Sequence, residues 1–242
     1  MASISGEMKI VEVEGLRLEE PVAIIGFPGP GFVGSSAAAC LIVNLDMFEI
    51  AHLESTRILP IKFIVGTHES TMHPFRIYRN LRGDIVVLRQ EGLGVTSPSE
   101  LHDIAMAFVD WLGRKKVKEV LFLDGNQTRQ EEAPETFVFS QDIQKLNELK
   151  RLGIRPLPEG SISGITPAMM DECTRREIPW AALIASTRGG SVDFQAVELI
   201  IDALNKILGL NVDPRVLMGR ERQKERGTDV LRSIRRFFTR ET

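Results

Sequence analysis

Apolar residues in this sequence fall into short blocks that predict buried strands. The block at 22–27 is rich in β-branched residues, and the block at 117–124 contains an uninterrupted apolar run at 120–123. Continuous apolar runs of this length are typical of strands that are buried on both faces of a sheet. Further strands are predicted at 61–65, 76–79, 84–88 and 179–186.

Between these blocks, apolar residues recur at helical spacing, and several segments carry start or stop signals. Ser97 followed by Pro98 is typical of a helix start, because a hydroxyl caps the first turn and proline fits the first position. Asp193 is the predicted cap of a helix that Gly209 ends. Helices are predicted at 33–45, 98–113, 140–152, 166–176 and 193–208.

Strands and helices therefore alternate through most of the chain. This order favours an α/β fold in which a mostly parallel sheet is covered by helices on both faces, giving three layers. Neither an internal repeat nor a linker rich in Pro, Gly and Ser interrupts the first 210 residues. The sequence predicts one α/β domain at 1–214 and a separate helical tail at 215–242.

The predicted tail differs from the rest of the chain in charge and in pattern. It holds nine basic and four acidic residues, a net charge of +5, which leaves −8 for the remainder of a chain whose formal total is −3. Leu231, Ile234, Phe237 and Phe238 fall on one face of a helix, with arginines opposite. We rank packing or oligomerisation first as the role of this face, binding of a protein partner second, and nucleic acid last.

A glycine-rich loop follows the first predicted strand and precedes the first predicted helix. Gly29, Gly31 and Gly34 match the pattern G-x-G-x-x-G, which binds dinucleotides in this context because the helix start attracts phosphate. Pro28 and Pro30 count against that role, since neither has an N–H to donate. The alternative is that the glycines serve a tight turn and close packing of the helix on the sheet.

Polar residues follow two other predicted strands at the edge where a parallel sheet places its ligands. Asp124 follows the strongest core strand, and Arg188 follows Ser186 and Thr187. An arginine beside hydroxyls suits a phosphate or a sugar. The competing interpretation, which we prefer, is that these segments are turns and that Asp124 caps backbone N–H groups. If a pocket exists, Asp124 and Arg188 are its candidate polar groups.

Candidate catalytic groups are sparse. The four histidines show no spacing typical of metal ligands, and His68 with His73 fits a solvated loop better than a metal site. Cys40 lies in a small-residue helix, and Cys173 follows two acids that disfavour a thiolate. We therefore predict no catalytic residue, metal or cofactor, and an interaction protein is favoured over an enzyme.

Composition narrows the class of protein further. Apolar residues make up 43% and charged residues 26%, values typical of globular domains. No apolar run approaches the roughly 18 residues of a membrane span, and residues 1–7 do not resemble a secretory signal. Two cysteines cannot form a disulfide framework. A cytoplasmic protein without membrane attachment is expected.

Six motifs together resemble those of the proteasome assembly chaperone family, in its archaeal and bacterial branch. The family opens with a signature similar to GFPGPGFVG at 26–34, followed by a small-residue helix. Further matches are HPFRIY at 73–78, VKEVLFLDG at 117–125, EGSISGIT at 159–166, IPWAAL at 178–183 and VDFQA at 192–196. The resemblance covers about residues 20–215, and the set is more specific than the glycine loop alone.

The resemblance to proteins like proteasome assembly chaperone 2 implies a nucleoside-phosphorylase-like α/β/α fold, a homo-oligomer and binding to proteasome subunits or a related protein partner. It implies no established catalysis, although some members carry an ATP-grasp-like label. The alternative is a nucleotide- or nucleoside-binding enzyme of ATP-grasp-like or phosphorylase-like type that uses the glycine loop. Some family members insert a tail with a penultimate tyrosine into the proteasome, and Glu241 at that position departs from the pattern.

Overall fold

A computed structural model describes residues 8–15, 17–58, 61–65, 68–90, 97–128 and 134–216. The helices are α1 (Val33–Asn44), α2 (Pro98–Arg114), α3 (Ile143–Arg151), α4 (Ile165–Arg175) and α5 (Phe194–Leu208). The strands are β1 (Lys9–Glu12), β2 (Val22–Gly26), β3 (Phe48–Glu54), β4 (Ile61–Val65), β5 (His68–Met72), β6 (Phe75–Arg79), β7 (Ile85–Gln90), β8 (Glu119–Gln127), β9 (Thr136–Phe139), β10 (Arg155–Pro156) and β11 (Trp180–Thr187).

Nine strands form a mixed sheet in the order β1-β3-β6-β7-β2-β8-β11-β9-β10, and β4 pairs with β5 in a separate hairpin. The centre is parallel from β7 through β2 and β8 to β11, as predicted for buried apolar strands. The side formed by β1, β3, β6 and β7 is antiparallel, as is the pairing of β9 with β11. Half of the eight pairings in this sheet are thus antiparallel, because short connections such as that from β6 to β7 allow no crossover helix.

Helices cover both faces of this sheet, so the chain forms an α/β fold with two apolar cores. One core lies under α2 and α4 and includes Phe108, Trp111 and Met169. The other lies under α1, α3 and α5 and includes Leu41, Leu149 and Ile200. Within the described part of the chain, no helix is long and apolar enough to cross a bilayer.

Local sequence signals set the helix ends. Ser97 accepts a hydrogen bond from the backbone N–H of Glu100, whose side chain accepts one from the N–H of Ser97, so α2 begins with a capping box. Asp193 caps α5, and Gly209 ends it in the left-handed conformation that glycine tolerates best. The helix predicted at 140–152 begins later, at Ile143, because Asp142 caps it in preference to Ser140.

The described chain ends beside α1 and α5. The side-chain amide of Asn44 donates to the carbonyl of Asp213 at 3.2 Å and its oxygen accepts from the N–H of Asp213 at 3.1 Å. Asn205 forms a similar pair of bonds with Val212. These bonds fix the chain at the predicted end of the domain. The predicted partner-binding residues Leu231, Ile234, Phe237 and Phe238 lie outside the described residues.

Candidate functional site

The glycine loop crosses the sheet where the carboxyl ends of β2, β8 and β11 meet. Residues Pro30–Phe32 form a short 3-10 turn, in which Gly31 has a φ of 62°. The N–H of Phe32 donates to the carbonyl of Gly29 at 2.9 Å, and the N–H of Asp193 donates to the carbonyl of Gly31 at 3.0 Å. The loop is thereby hydrogen-bonded to Asp193, the residue immediately before α5.

The glycines hold α1 close to the central strands. A Cβ on Gly34 would lie under 3.0 Å from the carbonyl oxygen of Leu123 in β8. A Cβ on Gly26, at the end of β2, would lie equally close to the carbonyl oxygen of Gly34. Both obstacles are backbone atoms that cannot rotate away. Close approach of helix and strand is therefore the structural reason for Gly26 and Gly34.

The other two predicted glycines contact polar side chains. A Cβ on Gly29 would lie under 3.0 Å from a carboxylate oxygen of Asp124, and one on Gly31 would lie as close to the hydroxyl of Thr187. The structure thus brings Gly29, Gly31, Gly34 and Asp124 together. An acidic side chain therefore lies against Gly29. A carboxylate there disfavours a phosphate bound at the same loop.

Asp124 is 4% exposed. The sequence predicts that it follows its strand, and this prediction is wrong. Asp124 lies within β8, which continues to Gln127 because β11 pairs with it as far as Thr187. The carboxylate accepts a hydrogen bond from the N–H of Gly125 at 2.8 Å. Burial raises the pKa of Asp124 to about 6, with that hydrogen bond acting in the opposite direction. Such a shift marks a group held in an apolar setting.

Arg188 lies beyond the end of β11, exposed to solvent, in a network that caps α5. Asp193 accepts hydrogen bonds from the hydroxyl of Thr187 at 2.9 Å and from the N–H groups of Arg188 and Ala196 at 3.3 and 3.2 Å. Burial alone would raise the pKa of Asp193, but these hydrogen bonds lower it. The sequence identified Asp193 as a cap but did not connect it to Arg188.

A shallow depression opens beside this network. Its volume is about 190 Å³ and its lining residues are Thr128, Pro134, Ser186, Thr187, Arg188, Gly189, Ser191, Val192, Asp193, Phe194 and Gln195. Pockets for drug-sized ligands occupy roughly 300–1,000 Å³. Asp124 does not line the depression, so the two candidate polar groups, Asp124 and Arg188, do not face a shared cavity there. The arrangement favours the structural interpretation of the glycine loop over nucleotide binding.

Both cysteines are buried, and neither is activated. Burial raises the pKa of Cys40 to about 11, with a further contribution from the charge of Asp213. Burial raises the pKa of Cys173 to about 12, and the adjacent Glu172 adds to that effect. Since the thiolate is the nucleophile, neither side chain suits covalent catalysis.

One cluster of potential metal ligands was not predicted from the sequence. His52, Glu54 and His73 each place a potential metal-ligating atom within 4.8 Å of the others. Local spacing places only His52 and Glu54 on one face of β3, and strand pairing brings His73, two residues before β6, beside them.

Sequence similarity to known proteins extends over most of the chain. A model of the PAC2 family matches residues 23–231. An uncharacterised protein of Methanocaldococcus jannaschii is 26% identical over 206 residues, which are 85% of this chain and 83% of that protein.

Among solved structures, PbaA of Pyrococcus furiosus, described as an archaeal homologue of proteasome-assembly chaperone, is similar with a TM-score of 0.79 and 26% identity over 93% of this chain and 96% of that one. A Thermoplasma acidophilum protein of unknown function is similar with a TM-score of 0.74 and 25% identity, over 93% of this chain and 92% of that one. PbaB of Pyrococcus furiosus, described as an archaeal proteasome activator, is similar with a TM-score of 0.76 and 20% identity, over 95% of this chain and 99% of that one. At this identity the similarity supports the fold alone.

Proposed function

Because this chain belongs to the PAC2 family, we propose that it is a cytoplasmic, non-enzymatic interaction protein that binds proteasome subunits as a homo-oligomer. The observation that carries the proposal is the family match, which spans the glycine loop, both apolar cores and most of the predicted tail. The similarity to PbaA extends over nearly the whole of both chains, so it concerns the complete α/β fold.

The chemistry of the glycine loop supports a binding role over a catalytic one. Gly34 is used for packing of α1 on β8, and Gly29 and Gly31 are used for contact with Asp124 and Thr187. Thr187 in turn bonds to the cap of α5. A nucleotide-binding loop leaves backbone N–H groups free around an anion. Here a carboxylate lies against Gly29 and a hydroxyl lies against Gly31. This favours a rigid scaffold whose surface binds the partner.

The charge distribution suggests how a partner is held. The predicted tail carries +5 and the rest of the chain −8. A basic amphipathic helix beside an acidic body can bind its own body, a second copy of the chain, or an acidic groove on a partner. We assign the tail to partner binding or oligomerisation on this basis.

Binding to α subunits of the proteasome from the same organism is the direct test. We expect the purified full chain to form a complex that migrates as a single slower band on a native gel and elutes at a defined mass by light scattering. PbaB with its own proteasome provides a positive control for the conditions. Absence of a complex where that control succeeds would overturn the proposal.

Deletion of residues 215–242 tests whether the tail is needed for binding but not for folding. We expect the truncated chain to unfold cooperatively, because both described cores lie within the retained residues, and to lose the complex or change its oligomeric mass. Phe237→Ala should reproduce the loss in part, whereas Arg236→Gln, on the opposite face of the predicted helix, should weaken binding less. Non-cooperative unfolding of the truncated chain would contradict the division into domain and tail.

A further inference from the structure

We infer that His52, Glu54 and His73 form a binding site for a first-row transition-metal dication, with zinc as the representative ion. The three side chains place one potential ligand atom each within 4.8 Å of one another. Two histidines and a carboxylate are a ligand set that zinc uses when it keeps an open position. This inference is independent of proteasome binding.

Strand geometry brings the three residues to one place. Side chains two residues apart on a strand lie on the same face, so β3 presents His52 and Glu54 together. His73 lies just before β6, which pairs antiparallel with β3 so that His52 is opposite Arg76. Leu53, between the two ligands, points the other way into the core. The cluster is thus on the polar face of a sheet whose opposite face is firmly packed.

The separation of His52 and Glu54 fits a shared metal, and the His73 ring has to rotate to join them. Nε2 of His52 lies 3.3 Å from a carboxylate oxygen of Glu54. Two ligands bound tetrahedrally at roughly 2.0–2.1 Å from zinc are themselves about 3.3 Å apart. The rings of His52 and His73 are stacked, with centroids 3.5 Å apart and planes at 13°. A tilt of the His73 ring would turn its nitrogen toward the same point.

A second carboxylate supports the orientation of His52. Nδ1 of His52 lies 3.5 Å from an oxygen of Glu49, whose other oxygen is 3.3 Å from the guanidinium of Arg76. A bulge between Glu49 and Ala51 shifts the register of β3 there, so that Glu49 reaches His52. Metal-binding histidines commonly donate their second ring N–H to a carboxylate, which fixes the tautomer and leaves the other nitrogen for the metal. Glu49 is placed to act as this positioning residue.

The ligand types determine which class of ion the site binds, and the exposure of Glu54 determines how an ion reaches it. Imidazole ligands favour zinc, nickel, copper and cobalt over magnesium and calcium, which prefer oxygen ligands only. The side chain of Glu54 is 53% exposed, so an ion can enter from solvent without opening the fold. Three protein ligands leave the fourth position of a tetrahedral zinc for water.

The competing interpretation is a polar surface cluster in which His52 donates to Glu54 and the two rings merely stack. Zinc titration of the full chain, free of any affinity tag and stripped of metal by a chelator, separates the two. With a chromophoric competitor, we expect one zinc per chain. His52→Asn and His73→Asn should each weaken zinc affinity by more than about 100-fold, and Glu49→Gln by about tenfold, the cost typical of outer-shell changes.

His102→Asn is the matched control, because His102 is exposed on α2 outside the cluster. It should leave zinc affinity unchanged, and magnesium should not compete. Ring resonances of His52 and His73 in the wild-type chain should shift with zinc while those of His102 do not, a result that does not depend on how the variants fold. No zinc binding, or equal loss in His102→Asn, would overturn the inference.

Discussion

Replacing Gly34 with alanine is expected to destabilise the folded protein by about 3 kcal/mol or more, a large effect for one methyl group and one that overpacking of a rigid core can produce. The added Cβ would lie under 3.0 Å from the carbonyl oxygen of Leu123 and close to the carbonyl oxygen of Phe27. Both are backbone atoms of the central sheet and the loop that follows it. The methyl group therefore has room only if α1 moves away from β8.

Movement of α1 would lower the stability of the fold by more than the clash at Gly34 alone, because the whole helix packs on the sheet. Val33, Ala37 and Leu41 on α1 are fully buried against the strands beneath it, and they would lose van der Waals contacts together. The expected loss should appear as a lower midpoint of chemical denaturation with an unchanged slope, because native packing is affected and not the denatured state.

Gly113→Ala is the matched control for Gly34→Ala. Gly113 lies in α2, and a Cβ there would meet only the side chain of Ile178 at 3.9 Å, an ordinary contact. Alanine in a helix is more favourable than glycine by up to about 1 kcal/mol, so this variant should be as stable as the wild type or more stable. If Gly34→Ala also unfolded like the wild type, the packing role of the glycine loop would be wrong.

Replacing Asp124 with asparagine is expected to stabilise the protein near neutral pH and to do so in a pH-dependent way. Burial raises the pKa of Asp124 from 3.8 to about 6. A rise of this size means that folding favours the protonated form over the ionised form by a free energy on the order of 3 kcal/mol. Because the folded state holds the proton more tightly, the carboxyl group favours folding most below pH 4, and this contribution is lost as pH rises through about 6.

Asparagine keeps an oxygen that can accept from the N–H of Gly125 but cannot ionise. The difference in unfolding free energy between Asp124→Asn and the wild type should therefore be small near about pH 4 and grow to a few kcal/mol near about pH 8. Denaturation curves of both proteins across this range would measure it. A difference that stays constant with pH would show that Asp124 titrates normally.

Asp193→Asn is the control, because the pKa of Asp193 is shifted in the opposite direction to that of Asp124. Hydrogen bonds lower the pKa of Asp193, so its carboxylate stabilises the fold above the normal titration range and loses that effect only in acid. Between about pH 8 and pH 5, the free energy difference between Asp193→Asn and the wild type should therefore be flat. Asp124 and Asp193 both contact the segment around the glycine loop, yet only Asp124 should give a pH-dependent difference over this range.

Much of the local structure could be predicted from the sequence. The elements β2, β8, α1, α2 and α5 lie close to where the apolar pattern placed them, and the caps at Ser97 and Asp193 are confirmed. The predicted family membership is confirmed by the match at 23–231. These features depend on neighbours a few residues away or on motifs read directly, so a single sequence contains them.

The candidate site was harder to predict, because the role of the glycine loop depends on which residues pack against it. Gly29, Gly31 and Gly34 match a nucleotide-binding pattern literally, but the same spacing also serves close helix packing. The close approach of Gly34 to the carbonyl of Leu123 and the position of Asp124 against Gly29 distinguish the two. Arg188 lines the described depression and Asp124 does not, so their predicted grouping around one pocket stays a prediction.

The sequence by itself determined the five helices, six of the eleven described strands, the caps and the family of this protein, because periodicity and capping act within a few residues. It did not predict β1, β3, β5, β9 and β10, which are at the edges of the sheet or in the separate hairpin. The tertiary structure alone decided that half of the pairings in the nine-stranded sheet are antiparallel, that Asp124 is buried, and that His52 and His73 stack. Each of these results from strands that pair across long stretches of sequence. Such pairings are set by the burial of whole faces of the sheet, and no local pattern of residues records which distant side chain will lie opposite.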